Sequence, residues 1–377
     1  MIGLVGWYGH DNLGDDALAL ASLRRVRKDF PGEGVVCFSS SPLHHPEFDG
    51  VEFLEPPPLR PGNLALYFRN NSGALRQWLT CRLLVLGGGG YFADDLGISA
   101  PLKWAILLGV RRLVPGTRLL GYGIGIGPLN SYVGRLSARL AFGGKTSLSV
   151  RDPDSAELLH SCRVRSEATV VPDPAFILES STTEGVSRSF AGRCVYFCPA
   201  ALGASLSKRA RRIANYDNYV RLWASLIEHT ASRGLTPILV PFQKGGVSNA
   251  ESDTHLCLSI QEKCSQTTAV DILSISDPEA LIRVFESAHM VFCMRFHSLV
   301  FAILAGSPVS GIGYHRKVRS LAASVGLADH FVDIGDVSEA RCIDTVSTAL
   351  ENLPNIAAAI AVARPILVAE ARQVSLA

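Results

Sequence analysis

Short apolar runs alternate with helical patterns along most of the chain. The first run, at 2–5, leads into a loop with three glycines and then into a predicted helix at 17–30. Further strands of the first half are predicted at 83–86, 118–121 and 146–150, and a further helix at 153–159. Because these strands are apolar throughout, without a polar face, they predict a parallel sheet that helices cover on both sides.

The same alternation resumes after a polar stretch at 179–189, which has no periodicity and is predicted to be a linker. Beyond it, strands are predicted at 195–199, 237–241, 269–273, 290–294 and 309–312. Helices are predicted between them at 216–233, 252–264 and 278–287, and again in an alanine-rich segment from 337 onward. The second half therefore predicts a second sheet of the same kind.

This organisation predicts an α/β protein with two Rossmann-like, doubly wound domains, which suits a chain of 377 residues. The expected boundaries are 1–178 for the first domain, 179–190 for the linker and 191–345 for the second domain. The remaining segment, 346–377, is expected to be helical. Whether it crosses back to pack on the first domain is left open. The glycine-rich turns all follow strands, at the sheet edge where open α/β sheets bind ligands, so we expect a cleft between two such edges.

Composition and charge narrow the class of protein. The apolar fraction is 47% and the net charge only +2, so the chain is globular and bulk electrostatics predict no nucleic-acid partner. Nine cysteines occur without a C-x-x-C pair, which favours free thiols in a reducing compartment. No signal peptide opens the chain, and apolar runs such as 104–110 are too short to span a bilayer. We therefore expect a cytoplasmic protein, with peripheral association with a membrane left open.

A cation and an imidazole stand where a strand pattern gives way to a helix pattern. Arg295, Phe296 and His297 lie between the apolar run 290–294 and the apolar run 299–305. Backbone N–H groups and the helix dipole make such a position attractive to anions. The segment therefore predicts a phosphate or carboxylate site, with a hydrogen-bonded core histidine as the alternative interpretation.

Two more basic residues follow strands. Lys317 comes after the run 309–312, so we expect Arg295, His297 and Lys317 to converge on one anion from adjacent strand ends. Arg151 ends the run 146–150 and is expected to point into the cleft, unless it forms an internal Arg–Asp pair.

Acidic and glycine residues supply the candidates in the first domain. The loop before the first helix lacks both the G-x-G-x-x-G pattern and a Walker lysine. Asp15 and Asp16 lie near that helix start, where a carboxylate either caps the helix or, being ionised, accepts a proton from a hydroxyl. The glycines at 87–90, among them Gly89 and Gly90, either let the backbone approach a ligand or allow close strand–helix packing.

Taken in order, these motifs resemble those of the polysaccharide pyruvyl transferase family over about residues 1–330. The series is Gly9-x-x-Asn12-x-Gly14-Asp15-Asp16-Ala17, the glycines at 87–90, Gly125-Ile-Gly-Pro-Leu129, Ser149-Val-Arg151-Asp152, Asp173-Pro-Ala-Phe176, Met294-Arg295-x-His297-Ser-Leu-Val-Phe301-Ala302 and Tyr314-x-x-Lys317-Val318. Two positions depart from the family pattern. Ile124 stands where Gln is frequent, and Phe296 where Leu is usual in the middle of Arg-x-His.

The resemblance implies a fold similar to GT-B glycosyltransferases, phosphoenolpyruvate as donor and a sugar of a cell-surface glycan, or a lipid-linked oligosaccharide, as acceptor. It leaves open a peripheral association with membrane glycan-assembly machinery. The implied product is a pyruvate ketal that bridges two hydroxyls, with release of phosphate and without a metal or a further cofactor. The implied roles are donor binding by Arg295, Lys317 and Arg151, and proton donation or phosphate binding by His297. On the acceptor side they are proton acceptance by Asp15, with Asp16 as the alternative, and sugar binding by Asn12, Gly89 and Gly90.

Two other functions stay open at this point. A nucleotide-sugar glycosyltransferase of the same architecture would also hold phosphate at this helix, but such enzymes often place an acid nearby, and none lies between Cys293 and Lys317. The other is a non-catalytic glycan-binding protein descended from such an enzyme. The presence of both Asp15 and His297 weighs against it.

Overall fold

A computed structural model describes residues 1–39, 41–56, 69, 71–90, 92–94, 97–144, 146–180, 193–202, 213, 215–245 and 252–377. The chain divides into two compact units. Unit 1 comprises Met1–His10, Asp15–Ile177 and Ala369–Ala377, and unit 2 comprises Asp11–Gly14 and Leu178–Val368. Each unit thus contains a short segment that is distant in sequence from the rest of it.

Unit 1 is built on a seven-stranded sheet in the order β3-β2-β1-β4-β5-β6-β7, and every pairing is parallel. The strands are β1 (Ile2–Val5), β2 (Val35–Phe38), β3 (Glu52–Leu54), β4 (Leu83–Leu86), β5 (Arg118–Ile124), β6 (Thr146–Val150) and β7 (Ala168–Val170). The strand order reverses between β1 and β4, as in a doubly wound sheet.

Helices connect these strands. They are α1 (Leu13–Asp29), α2 (Ser72–Thr80), α3 (Ser99–Arg112), α4 (Tyr132–Phe142) and α5 (Pro153–Ser161). Acidic residues occupy the first turn of α1 and basic residues its last turn, which suits the helix dipole. The sequence did not predict α3, because Leu102, Ile106 and Val110 are exposed while the opposite side is buried, so no polar face marks the period.

Unit 2 repeats the plan with six parallel strands in the order β10-β9-β8-β11-β12-β13. The strands are β8 (Cys194–Cys198), β9 (Thr236–Leu239), β10 (Asp271–Ile272), β11 (Met290–Cys293), β12 (Val309–Gly313) and β13 (Phe331–Asp333). β11 lies in the middle between β8 and β12, and all of its residues are buried. Two parallel sheets confirm the predicted α/β class.

The helices of unit 2 are α6 (Tyr216–Ser232), α7 (Asp253–Lys263), α8 (Pro278–Glu286), α9 (Phe296–Ala305), α10 (Arg316–Ser324) and α11 (Glu339–Glu351). Nearly all of α9 is buried, and it ends at Gly306, whose φ of 75° is in the left-handed region that favours glycine. Because α9 is held on all sides, its first turn has a fixed position at the end of β11.

The last helix, α12 (Leu353–Gln373), runs from unit 2 into unit 1. Within unit 1, a guanidinium nitrogen of Arg25 donates to the carbonyl oxygen of Arg372 at 2.8 Å, and Asp29 accepts from the N–H of Leu376 at 2.7 Å. Among the described residues, α12 is the helix whose length and apolar composition suffice to cross a bilayer. The sequence-based expectation concerned uninterrupted apolar runs, and Asn and Arg residues interrupt the apolar runs of this helix.

Candidate functional site

Two helices of unit 2 begin side by side at the carboxyl edge of its sheet. β11 pairs with β12, with Cys293 opposite Gly311, and α9 and α10 follow these two strands. Basic residues occupy both N-cap positions, Arg295 for α9 and His315 for α10, where Ser, Thr, Asp or Asn is usual. A positive residue at the positive end of a helix is unfavourable by itself, and a bound anion would offset that cost.

Arg295 is held by a buried carboxylate. Its Nε lies 3.0 Å from Oδ2 of Asp253, and a terminal guanidinium nitrogen lies 2.5 Å from Oδ1. Asp253 is fully buried and also accepts from the backbone N–H groups of Ala201 (2.7 Å) and Gln243 (2.9 Å). Burial lowers the pKa of Arg295, but the charge and hydrogen bonds of Asp253, together with the charges of Tyr314 and Tyr219, outweigh burial and raise that pKa above its ordinary value. The guanidinium is therefore charged and fixed in orientation.

His297 lies directly against a glycine from the start of the chain. A Cβ added at Gly14 would stand 2.0 Å from His297 Nδ1, so only glycine fits at this position. The imidazole also packs against the Phe296 ring, at 5.3 Å between centroids, and is half-buried. The placement of His297 thus depends on the segment Asp11–Gly14, which belongs to unit 2.

That segment is bonded to unit 2 like a short extra strand. The N–H of Leu13 donates to the carbonyl of Phe242 at 3.0 Å, and the N–H of Lys244 donates to the carbonyl of Asp11 at 2.8 Å. The amide nitrogen of Asn12 donates to Gln243 Oε1 at 2.7 Å, and Asn12 Oδ1 accepts from the N–H of Gly14 at 3.1 Å. Asn12 therefore has a structural task in holding Gly14, whereas its predicted contact with a sugar stays a prediction.

Lys317 lies beside the Arg-x-His segment, as its position after the neighbouring strand predicts. Its Nζ is 5.5 Å from the centroid of the Phe296 ring, within cation–π range. Phe296 stands where the family that the motifs resemble usually has leucine, and leucine would offer no ring for this contact. The structure therefore brings Arg295, His297 and Lys317 together in unit 2.

Arg151 lies in unit 1 and forms an internal pair. A terminal guanidinium nitrogen is 3.0 Å from Asp173 Oδ2, and both side chains are almost fully buried. Gly125 makes room for this guanidinium, because a Cβ there would come within 2.8 Å of it. The adjacent Asp152 instead accepts from the N–H of Ser155 and caps α5. The internal Arg–Asp pair that the sequence left open is thus present, with Asp173 as the partner. A role for Arg151 in donor binding stays a prediction.

The acidic candidates lie in the first turn of α1. Asp16 accepts from the N–H of Gly9 at 3.1 Å and so closes the loop that precedes it. Asp15 is half-buried and directly follows Gly14 in the chain. The described hydrogen bond of Asp16 therefore orders the loop and does not cap the helix, and the proton-accepting role of either residue stays a prediction.

Packing accounts for the first two glycines after β4. A Cβ at Gly87 would stand 1.5 Å from the Tyr8 hydroxyl, and one at Gly88 would stand 2.7 Å from the Leu18 side chain. Gly89 has a φ of 123°, which L-residues rarely adopt, and Gly90 is exposed. For Gly89 and Gly90 the predicted contact with an acceptor remains a prediction.

Sequence reasoning missed two members of this site, Asp253 and Gln243. The sequence did contain a signal for Asp253. Arg295 lies among apolar residues and so needs a partner of opposite charge, and Asp253 is an acid at the start of the predicted helix 252–264. The partner lies 42 residues before Arg295, outside the segment between Cys293 and Lys317 that carries the Arg-x-His motif. Gln243 carried no comparable signal.

Comparison with known proteins gives a family and a set of similar folds. The chain matches the polysaccharide pyruvyl transferase family over residues 12–316. No curated protein matches it in sequence. Among solved structures, HepE of Anabaena in complex with UDP aligns with a TM-score of 0.58 and 13% identity, over 98% of this chain and 95% of that one.

Two further structures show the same likeness. The UDP-GlcNAc 2-epimerase of Methanocaldococcus jannaschii, in complex with UDP-GlcNAc and UDP, aligns with a TM-score of 0.59 and 11% identity, over 97% of this chain and 99% of that one. WaaG, a glycosyltransferase involved in lipopolysaccharide biosynthesis, aligns with a TM-score of 0.53 and 12% identity, over 99% of this chain and 98% of that one. At such identities the likeness concerns the fold alone, and it confirms the predicted GT-B-like architecture. Together with the ordered motifs, the match over most of the sequence shows that this chain belongs to the polysaccharide pyruvyl transferase family.

Proposed function

We propose that the protein transfers the pyruvyl group of phosphoenolpyruvate to two hydroxyls of a sugar in a cell-surface polysaccharide or its precursor, with release of phosphate. The observation that carries the proposal is the group of Arg295, His297 and Lys317 at two adjacent helix starts, in a chain of this family. The donor has a phosphate and a carboxylate, so it calls for several cations in a fixed arrangement.

In this proposal the donor binds at the starts of α9 and α10. Arg295 is oriented by Asp253, so its remaining N–H groups act as positioned donors to a phosphate oxygen. Since the Asp253 charge offsets that of Arg295, Lys317 and the two helix starts supply the surplus positive charge. Arg151 stays a candidate of the donor set, and Asp173 holds its guanidinium as Asp253 holds that of Arg295.

The chemistry assigned to the residues is general acid–base catalysis. His297 donates a proton to the methylene carbon of phosphoenolpyruvate, which leaves positive charge at C2. A sugar hydroxyl adds to C2 and loses its proton to Asp15, or to Asp16 if Asp15 does not serve. The C2–O bond to phosphate then breaks and phosphate leaves with the bonding electrons. A second hydroxyl adds to C2, loses its proton to the released phosphate, and closes the ketal.

Asp253 also bears on the rival function, nucleotide-sugar transfer. A carboxylate does stand beside the helix start, but all of its described contacts are to Arg295, Ala201 and Gln243, and it is fully buried. A carboxylate so engaged is poorly placed to hold a ribose. This arrangement favours pyruvyl transfer over sugar transfer.

We place the reaction in the cytoplasm, at the inner face of the cell membrane. All nine cysteines are free thiols, and eight of them are buried, as suits a reducing compartment. A lipid-linked precursor would present its sugar at that face. No metal or cofactor takes part in the proposed steps, because the basic residues neutralise the donor.

The direct test is to incubate the pure protein with phosphoenolpyruvate and a panel of lipid-linked or nitrophenyl glycosides, and to measure phosphate release and product mass. We expect phosphate release that depends on the acceptor, and its loss in His297→Ala. The matched control is His160→Ala, an exposed histidine at the end of α5, which should behave like the wild type.

Calorimetry without an acceptor separates the two functions. We expect phosphoenolpyruvate to bind and UDP-sugars not to bind. Binding of a UDP-sugar without binding of phosphoenolpyruvate would overturn the proposal, and so would full activity of His297→Ala for the role given to that residue.

A further inference from the structure

An exposed apolar stripe runs along α3 in unit 1. Ile98 precedes the helix, and Leu102, Ile106 and Val110 follow at intervals of four residues, with exposed fractions of 41–55%. Because four residues advance a helix by little more than one turn, these side chains lie along one face. The opposite side packs into the core through residues such as Trp104 and Leu108. An apolar stripe on the solvent-exposed side of a helix indicates a surface that contacts a partner or a membrane.

α4 adds a second stripe of the same kind. Tyr132, Leu136 and Leu140 follow the same spacing and are 81%, 41% and 54% exposed. The two helices are bonded to each other, because Arg112 at the end of α3 donates to the carbonyl oxygen of Leu140 at 2.5 Å and also to that of Ala141. The two stripes therefore lie on neighbouring helices, and we call them together the α3–α4 face.

Positive charge predominates around the α3–α4 face, although the carboxylate of Asp94 lies at the start of α4. From residue 97 to residue 151 the chain has eight Lys or Arg residues and no Asp or Glu, although the whole chain carries a net charge of only +2. Arg111 and Arg151 are buried and do not contribute to the surface. Arg135 and Arg139, one turn apart on α4, are exposed and flank its stripe. The face is thus an apolar stripe with positive charge beside it.

We propose that the α3–α4 face docks onto a lipid bilayer that contains anionic headgroups. The apolar side chains enter the boundary between headgroups and acyl chains, and the flanking arginines contact lipid phosphates, as in helices that lie in the membrane interface. A second copy of the chain fits less well, because a symmetric pairing would bring the same basic residues together from both sides. Docking would hold unit 1, on the acceptor side of the proposed reaction, where a lipid-linked sugar is found.

The test is flotation of the purified full chain with vesicles, which needs no turnover and so stands apart from the proposed reaction. We expect the protein to float with phosphatidylcholine vesicles that contain phosphatidylglycerol, and to float much less with phosphatidylcholine alone. The double variant Ile106→Glu, Leu140→Glu should bind the anionic vesicles at least about tenfold more weakly, because two inserted apolar side chains are lost. Arg135→Gln with Arg139→Gln should reduce binding and its dependence on salt.

The matched control is Leu258→Glu on α7 of unit 2, where the leucine is 46% exposed and outside the α3–α4 face. It should float like the wild type, and circular dichroism checks that each variant is folded. Absence of wild-type binding would overturn the proposal, and so would equal binding by the double-glutamate variant. A wild-type dimer that the double-glutamate variant dissociates, with no vesicle binding by either protein, would instead assign the face to a contact between copies.

Discussion

At the residue scale, the candidate site depends on fit and on fixed orientation. His297 lies against the bare Cα of Gly14, and Arg295 is held by both carboxylate oxygens of Asp253. A Cβ at position 14 would overlap the imidazole of His297. A side chain other than arginine at position 295 would not contact both oxygens of Asp253 in the same way. Substitutions that change a side chain only slightly should therefore test the roles of these residues more specifically than removal of the whole side chain.

Gly14→Ala should impair the proposed reaction by moving His297. The added Cβ would overlap Nδ1 of the imidazole, so the ring must turn away from its place. We expect acceptor-dependent phosphate release to fall at least about tenfold, as for the displacement of a catalytic group. The control is Gly73→Ala on α2, where a Cβ meets no atom within 4 Å. Equal activity of the Gly14 and Gly73 variants would remove Gly14 from the site.

Arg295→Lys should weaken donor binding. Lysine keeps the positive charge, so the buried Asp253 is not left alone, but an ammonium cannot contact both carboxylate oxygens and a phosphate with the same planar geometry. We expect the KM for phosphoenolpyruvate to rise by about tenfold, with a smaller change in kcat. Arg283→Lys, at an exposed position of α8, is the control. An unchanged KM in Arg295→Lys would move the donor site elsewhere.

At the scale of the element, α4 carries half of the α3–α4 face, and its start is fixed by a network of acceptors. Ser131 is the N-cap and accepts from the N–H of Gly134. Asp94 in turn accepts from the N–H groups of Asn130 (2.8 Å) and Ser131 (2.7 Å) and from the Ser131 hydroxyl. Partial burial by itself would raise the pKa of Asp94, but these hydrogen bonds hold it below its ordinary value.

This lowered pKa of Asp94 predicts a pH dependence of stability. A carboxyl with a depressed folded-state pKa contributes stability above its unfolded pKa of about 4, and that stability is lost as the pH falls through the folded-state pKa. Asp94→Asn should therefore lose less stability than the wild type between about pH 5 and pH 2. Thermal unfolding at a series of pH values measures this. Glu157→Gln, an exposed acid of α5, is the control, and parallel curves for Asp94→Asn and wild type would contradict the account.

At the scale of the whole molecule, the chain exchanges segments between its two units. Asp11–Gly14 belongs to unit 2, and Ala369–Ala377 belongs to unit 1. The latter segment is fixed by Arg25 and Asp29 of α1 and by the fully buried side chain of Leu376. A residue near the end of the sequence is thus part of the first unit's core.

Leu376→Ala should destabilise unit 1. Removal of a fully buried leucine side chain costs about 2–5 kcal/mol of unfolding free energy. Hydrogen exchange resolved by segment should show the loss in the strands of unit 1, with the strands of unit 2 less affected. Val362→Ala, at a position of α12 that is 68% exposed, should cost far less. Equal protection of unit 1 in Leu376→Ala and wild type would mean that the returning segment does not support it.

The sequence by itself determined what depends on local order. Uninterrupted apolar runs separated by helical patterns specify parallel sheets, since strands buried on both faces need no polar side. Arg295, His297 and Lys317 were found because a charge in an apolar run stands out locally, and because the ends of adjacent parallel strands meet at one edge. The ordered motifs indicated the family for the same reason, since each is a short contiguous stretch.

Only the tertiary structure decided which distant residues meet. Three contacts of the candidate residues could not be predicted from their spacing in the sequence, because no periodic pattern relates the positions. They are Arg295 with Asp253, Gly14 with His297, and Arg151 with Asp173. The same holds for the surface of α3, whose exposed stripe looks in sequence like one more buried run. Burial is a property of what packs against a residue, so a local pattern cannot tell an apolar face that meets the core from one that meets a partner.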